Sequence, residues 1–326
     1  MHRRDFIIVV VGSAATWPLA AHAQQSSMPV IGYLGPGSAQ SDAFRVTGFR
    51  QGLKEAGYVE GQNLKIEYRW AEDHYDRLPA MAADLVRHQV AVIVTTSASA
   101  SLAAKAATKT LPIVFETAGD PVKLGFVGSL SRPGGNLTGV TQLGEEATAK
   151  RLELLRELLP TARVMALLVN PAESLSETQV RVSLAAAKSL GLELHVLNAS
   201  IERDFDAAFA KLTELRAGGL TIAGAALFTS HIEQLAALTV RHRIPAVYQR
   251  REFAAAGGLI SYGTNIADTH RLVGIYTGRV LKGEKPADLP VQQATKVELY
   301  VNLKTARALG IPVPISLLGR ANEVIE

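Results

Sequence analysis

Short β-branched runs alternate with longer segments of helical period along this chain, and the alternation is run through twice. That pattern restricts the fold more than any other feature, because parallel strands can be joined only by crossovers, usually helical. From PVIGYLG onward it predicts strands near 29–34, 64–69, 91–95, 112–115 and 137–141, with helices near 41–56, 76–89 and 98–107. DRLPAMAADLV sets Leu78, Met81, Ala82 and Leu85 on one helical face, and SDAFRVTGFRQGLKEAG ends at Gly57 as a helix C-terminus should. The pattern then restarts. AKRLELLRELLP reads as an amphipathic helix stopped by Pro160, followed by strands near 163–169, 192–197, 219–223, 245–248 and 259–261. Two such runs predict an α/β protein of two doubly wound parallel-sheet lobes with a cleft between them.

An internal echo supports the doubling. VIVTTSASASLAAKAATKTLPIVFE passes from a strand through a hydroxyl-rich turn and a helix to Leu-Pro-Ile-Val-Phe; LTIAGAALFTSHIEQLAALTVRHRIPAVYQ follows the same course to Ile-Pro-Ala-Val-Tyr.

The N-terminal MHRRDFIIVVVGSAATWPLAAHAQQ has a basic start, an apolar run and the small-x-small pattern Ala21-His22-Ala23. It reads as an export signal over residues 1–23, cleaved near Ala23, and Arg3-Arg4 with Asp5, Phe6 and Ile7 fits the twin-arginine pattern. The expected location is therefore periplasmic. No later apolar run approaches the roughly 20 residues that span a bilayer. The chain has no cysteine, which rules out disulfides, thiolate metal sites and thiol catalysis. Its 34 basic and 30 acidic residues are scattered without a basic block, so nucleic acid is not an expected partner.

Reaction chemistry finds no recognised motif. Neither a phosphate loop nor G-x-G-x-x-G occurs, and GYLGPG carries Gly32, Gly35 and Gly37 in the wrong order for a dinucleotide fingerprint. G-x-S-x-G is absent, and the eight histidines are dispersed without H-E-x-x-H. Asp73, His74 and Asp76 cluster ahead of a helix, where Asp76 reads as an N-cap. No cofactor and no metal are expected, and the chain is not expected to be an enzyme.

What remains is a cleft. In open α/β sheets, ligands sit beyond the carboxyl ends of the strands, where helix N-termini offer free N–H groups. After the third strand, Thr96, Ser97 and Ser99, with the helix beginning at Ala98, form a candidate carboxylate seat. After the fourth, Asp120 stands where it could meet an ammonium group, although it could equally make a turn with Pro121. The second half supplies facing rims with Asn170, Phe228, Thr229, Tyr248, Arg251 and Tyr262, whose aromatic rings could stack on a ligand or fill core.

FRQGLKEAGYVEGQNLKIEYRWAE, DRLPAMAADLV, GDPVKLGFVGSLSRPGGNLTGVT, AKRLELLRELLPTARVMALLVNP and REFAAAGGLISYGTN together resemble the ABC-transporter substrate-binding protein family, in the branch related to tryptophan and aromatic amino acid receptors. The resemblance covers the mature chain, and SRPGGNLTG is its most specific stretch. It implies a type I periplasmic-binding-protein architecture, with two lobes joined by three crossings that close on one small molecule. It also implies a monomeric, non-enzymatic receptor that hands an amino acid or other carboxylate-bearing solute to an ABC permease in the inner membrane. The lobes are expected at 28–142 with about 264–288, and at 143–263 with about 289–326. Ligand contacts are implied in the rim loops around Gly35, Gly37 and Ser38, from Thr96 through Ala98 to Ser99, from Thr117 to Asp120, and at Asn170 and Phe228. Relatives often carry an acidic residue and a proline in the loop that here reads GAALFTS, where Ala225 and Ala226 stand, so a polar contact is missing. A different reading, from the same two-lobed pattern, is an exported α/β enzyme with its active site in that cleft.

Overall fold

The computed structural model describes residues 28–142 and 144–326; the export signal read at residues 1–23 lies outside the described residues. The first run holds β1 (Val30–Gly35), α1 (Ala43–Glu55), β2 (Lys65–Trp70), α2 (Leu78–Arg87), β3 (Val92–Thr95), α3 (Ala98–Ala107), β4 (Ile113–Thr117) and β5 (Leu137–Gln142). The second begins with α4 (Gly144–Leu158), β6 (Val164–Val169), α5 (Ser176–Ser189), β7 (Glu193–Asn198) and α6 (Asp204–Glu214). It continues with β8 (Gly219–Ile222), α7 (Ala226–Ser230), α8 (Ile232–Arg241), β9 (Ala246–Tyr248), α9 (Arg251–Ala255) and β10 (Ile260–Thr264). The chain ends with α10 (Ile266–Leu281), β11 (Gln292–Ala294), β12 (Val297–Asn302), α11 (Leu303–Leu309), α12 (Ile315–Leu318) and β13 (Glu323–Ile325).

These strands make two sheets, ordered β11-β5-β4-β3-β1-β2 and β13-β12-β10-β9-β8-β6-β7. The order β2-β1-β3-β4-β5 recurs as β7-β6-β8-β9-β10, so the doubling read in the sequence is also a doubling of topology. The echoed prolines occupy equivalent places: the Pro112 carbonyl accepts from Ile93 N at 2.9 Å, and the Pro245 carbonyl from Leu220 N at 2.9 Å. Proline has no N–H to give a ladder, and just ahead of a strand it needs none. One pairing departs from the all-parallel expectation, since β12 runs antiparallel to β10.

Helix ends follow local chemistry. Gly57 takes φ +91°, Tyr58 N bonds the Leu53 carbonyl at 2.9 Å and Gly57 N bonds that of Lys54 at 3.0 Å, the paired closure of a Schellman motif. Asp76 is not the N-cap expected of it. Tyr75–Arg77 forms a 3-10 turn that runs directly into α2, and no side chain caps either element.

The chain leaves the first sheet between Gln142 and Gly144 and returns to it after Thr264, where α10 packs along α1. That contact is made backbone to backbone. A Cβ at Gly48 would collide with the Ala267 carbonyl, one at Gly52 with the Arg271 carbonyl, and one at Gly274 with the Phe49 carbonyl. Phe49, Leu53 and Val273, buried around these glycines, complete the seam. Gln292–Ala294 then pair with Val140–Gln142, so β11 belongs to the first sheet and the third crossing follows Ala294, not the position near 288 expected from the sequence.

Gly52→Ala should therefore destabilise the fold by about 3 kcal/mol, at the upper end of overpacking costs. Gly135→Ala, which meets nothing within 4 Å, should cost within about 0.5 kcal/mol. Urea denaturation of the two variants checks this; equal midpoints would show that the helix seam yields without cost.

Candidate functional site

Both sheets present the carboxyl ends of their parallel strands to one another. Between them lies a cavity of about 100 Å³. The first lobe walls it with Pro36 after β1, Thr96, Ser97 and Ala98 after β3, Glu116 and Gly119 at the end of β4, and Gln142 at the end of β5. The second contributes Thr148 and Arg151 of α4, Glu173 after β6, Gln179 of α5, Ala225, Ala226 and Thr229 after β8, and Gln249 after β9.

The lobes touch across the cleft. Ser99 Oγ donates to Glu173 Oε1 at 3.0 Å, and Ala226 N donates to the Tyr75 hydroxyl at 3.1 Å. The Arg250 guanidinium lies 3.8 Å from the centroid of the Phe44 ring, a cation–π contact between lobes. Leu175 reaches over to pack on the first lobe beside Gly119, where an added Cβ would come within 2.7 Å of it. The arrangement is closed.

Of the residues singled out in the sequence, Thr96, Ser97, Ala98 and Thr229 stand in the cavity wall. Ser97 Oγ is occupied as the N-cap of α3, accepting from Ala100 N at 3.1 Å, and Ser99 is committed to Glu173. Thr96 Oγ1 is buried without a partner, and the first amides of α3 have no intrahelical acceptor.

The others lie behind the wall. Asp120 is turned to its own loop: Oδ1 accepts from Val122 N at 2.9 Å and Lys123 N at 3.3 Å, an Asx turn around Pro121, which corrects its placement as an ammonium partner. Thr117 Oγ1 accepts from Gly119 N at 3.0 Å, and Asn170 Oδ1 accepts from Ala172 N at 3.0 Å. Both shape turns whose neighbours, Glu116 and Glu173, reach the cavity. Gly37 accepts from Glu72 N through its carbonyl, and Ser38 bonds Ser41, leaving Pro36 as the wall residue of that loop. Phe228 and Tyr248 are fully buried core, the former beside Phe205 and the latter edge-on to Phe253. Tyr262 packs against the α4 side of the second core, and Arg251 pairs with Glu323 at 2.7 Å on the surface.

The wall residues that sequence reasoning missed are mainly charged or amide-bearing. The echo could have found two of them. Phe115-Glu116 and Tyr248-Gln249 are equivalent pairs, and strand alternation that sends Phe115 and Tyr248 into core sends Glu116 and Gln249 to the cleft. Arg151 also had a signal, since it shares the apolar stripe of α4 with Ala147, Leu155 and Leu158.

Electrostatically the wall is uneven. Glu116 is 3% exposed, and burial pushes its carboxyl up to about 7, against the pull of Arg45 and the Gln142 amide that it accepts from. Burial likewise raises Glu173, which accepts from Ser99 and Ser174. Arg45 is bonded to Asp42. Arg151 is 4% exposed, and its guanidinium donates only to neutral oxygens: the Tyr262 carbonyl at 3.2 Å and Thr148 Oγ1 at 2.8 Å. Burial lowers its pKa to about 10, so it stays charged at neutral pH. Among the described residues no group of three or more His, Cys, Asp or Glu side chains could hold a metal ion.

Comparison with known proteins places this geometry. The model of a family described as ABC transporter substrate binding protein matches residues 37–325. A curated relative, a tyrosine-binding protein of Clostridioides difficile, is 27% identical over 262 residues, 80% of this chain and 75% of the relative. Among solved structures, a conserved domain protein of Vibrio cholerae superposes with a TM-score of 0.85 at 26% identity, over 91% of this chain and 99% of that one. An ABC domain of Streptococcus pneumoniae in complex with L-Trp superposes with a TM-score of 0.83 at 27% identity, over 92% and 100%.

The raised Glu116 carboxyl has a consequence for stability. Unfolded, it ionises near 4.5; folded, it keeps its proton up to about 7. Its stabilising contribution is therefore complete below 4.5 and is lost as pH rises to 7, because the folded state binds the extra proton. The melting temperature of Glu116→Gln should fall less across that window than that of the wild type, with scanning calorimetry as the measurement; parallel curves would assign the carboxyl an ordinary pKa.

Proposed function

The chain belongs to the ABC transporter substrate-binding protein family, and from that premise we propose that it is an extracytoplasmic receptor that captures a small carboxylate-bearing solute between its lobes and delivers it to an inner-membrane permease. The observation that carries this reading is the cavity itself, walled by the strand ends of two separate sheets and bridged by direct contacts between the lobes. A small molecule buried there would touch both lobes at once, so its binding energy favours the closed arrangement over an open one.

The relatives' names bring amino acids to this chain as the first solutes to consider, tyrosine and tryptophan among them. The amides at the start of α3 and the Thr96 hydroxyl support a carboxylate on that solute. The lobes would comprise 28–142 with 266–294, and 144–264 with 297–326, following the strand pairing. The receptor would reach the periplasm by the signal at residues 1–23, by the twin-arginine route that Arg3-Arg4 suggests, and act there as a monomer without catalysing a reaction. No helix of the described residues is long and apolar enough to cross a membrane.

Native mass spectrometry of protein exported to a bacterial periplasm, compared with the same sample after denaturation and refolding, tests this. The expected result is a small bound mass in the exported sample that disappears on refolding and returns with the purified compound. A protein that chemically converts that compound would favour the enzyme reading instead.

A further inference from the structure

Some of the contacts that join the lobes are made by side chains set back from the cavity. Ser99 and Tyr75 of the first lobe form no part of its wall, yet each bonds to the second lobe. Ser99 Oγ donates to Glu173 Oε1 at 3.0 Å and lies 3.0 Å from Ser174 Oγ. The Tyr75 hydroxyl accepts from Ala226 N at 3.1 Å, one of the amides at the start of α7 that no intrahelical carbonyl can take. Asp73, two residues earlier, lies near Ser230 and His231 at the other end of α7.

Each half of this junction is fixed within its own lobe. Tyr75 follows Glu72 at φ +52° and Asp73 at φ +62°, two consecutive residues in the left-handed region, where a side chain makes the backbone strained. Three hydrogen bonds tie that backbone to the end of β1 and the loop after it: Ala71 N donates to the Gly35 carbonyl at 3.0 Å, Glu72 N to that of Gly37 at 3.0 Å and Asp73 N to that of Pro36 at 2.8 Å. The Tyr75 ring packs on the first-lobe core. Across the cleft, the Gln179 side chain accepts from Gly224 N at 2.7 Å and donates to the Gly224 carbonyl at 3.2 Å, which holds the loop that presents Ala226. Groups already ordered in their own lobes lose little freedom when they meet, so their hydrogen bonds count nearly in full toward closure.

We propose that Tyr75 and Ser99 are positioning residues, a latch that favours the closed arrangement independently of what occupies the cavity. Opening returns both hydroxyls and Ala226 N to water, and each such exchange is worth about a factor of five in the closed-to-open ratio. Apparent affinity scales with the closed fraction, so the latch strengthens the binding of every solute by the same factor and discriminates among none. The inference goes beyond the receptor reading, since the latch would act in the same way around the substrate of an enzyme.

The test reads closure with no solute present. The chain has no cysteine, so Ala106→Cys on α3 and Ala185→Cys on α5, both at exposed positions, place two spin labels and no others. Electron–electron double resonance on the refolded mature protein, shown by native mass spectrometry to carry no small molecule, then measures the distance between the lobes. With Tyr75 and Ser99 intact, the short distance of the closed arrangement should be present, alone or beside a longer one. Tyr75→Phe keeps the ring in the core and removes only the hydroxyl; it should lower the closed-to-open ratio about fivefold, and Tyr75→Phe with Ser99→Ala about tenfold or more. If the double variant does not fold, Tyr75→Phe decides alone. A long distance only in the protein with the latch intact overturns the proposal, as does an unchanged distribution in Tyr75→Phe. The receptor reading is judged separately, by whether an exported sample carries any small bound mass.

Discussion

The approach of α1 and α10, closer than any side chain allows, is the constraint on which the molecule's shape depends. Gly48 and Gly52 let two carbonyls of α10 reach the surface of α1, and Gly274 returns the favour to the Phe49 carbonyl. Because α10 follows β10, a strand of the second sheet, that seam pulls the chain back to the first lobe after it has built most of the second. β11 then joins β5, and the last crossing leads to β12. The three crossings, after β5, β10 and β11, are short, and the lobes meet at their strand ends.

Parallel order does the rest. A parallel sheet wound on both faces puts all its carboxyl ends on one edge, and two such edges facing each other define a cavity without any dedicated loop. What distinguishes this cavity is its electrostatics. Glu173 and Glu116 accept from hydroxyl and amide donors, Glu145 faces Lys123 and Arg181, and burial raises Glu116 to about 7. Arg151 remains charged and donates to neutral oxygens, and it shares the wall with Glu116 and Glu173, whose hydrogen-bond partners are likewise neutral.

The alternation of short strands and helices made the two lobes and strands β1 to β10 legible, because hydrophobic period is a local property. Gly57 and the echoed prolines were equally readable, since a left-handed φ and a missing N–H leave marks on single residues. The antiparallel β12 and the late third crossing were not, because pairing partners distant in sequence carry no local signature. At the site, the rule of strand ends found the right loops but often the wrong residue within them. It chose Tyr248 where Gln249 faces the cleft, Thr117 where Glu116 does, and Asp120 where the carboxylate is spent on its own turn. Arg151 was read only as part of an amphipathic helix, whose buried side includes one cation.

The most direct measurement is a crystal structure of the protein purified from a periplasm without refolding. The account predicts electron density for one small molecule between the lobes, in contact with residues of both. An empty cleft, or a ligand held outside the cleft altogether, would contradict it.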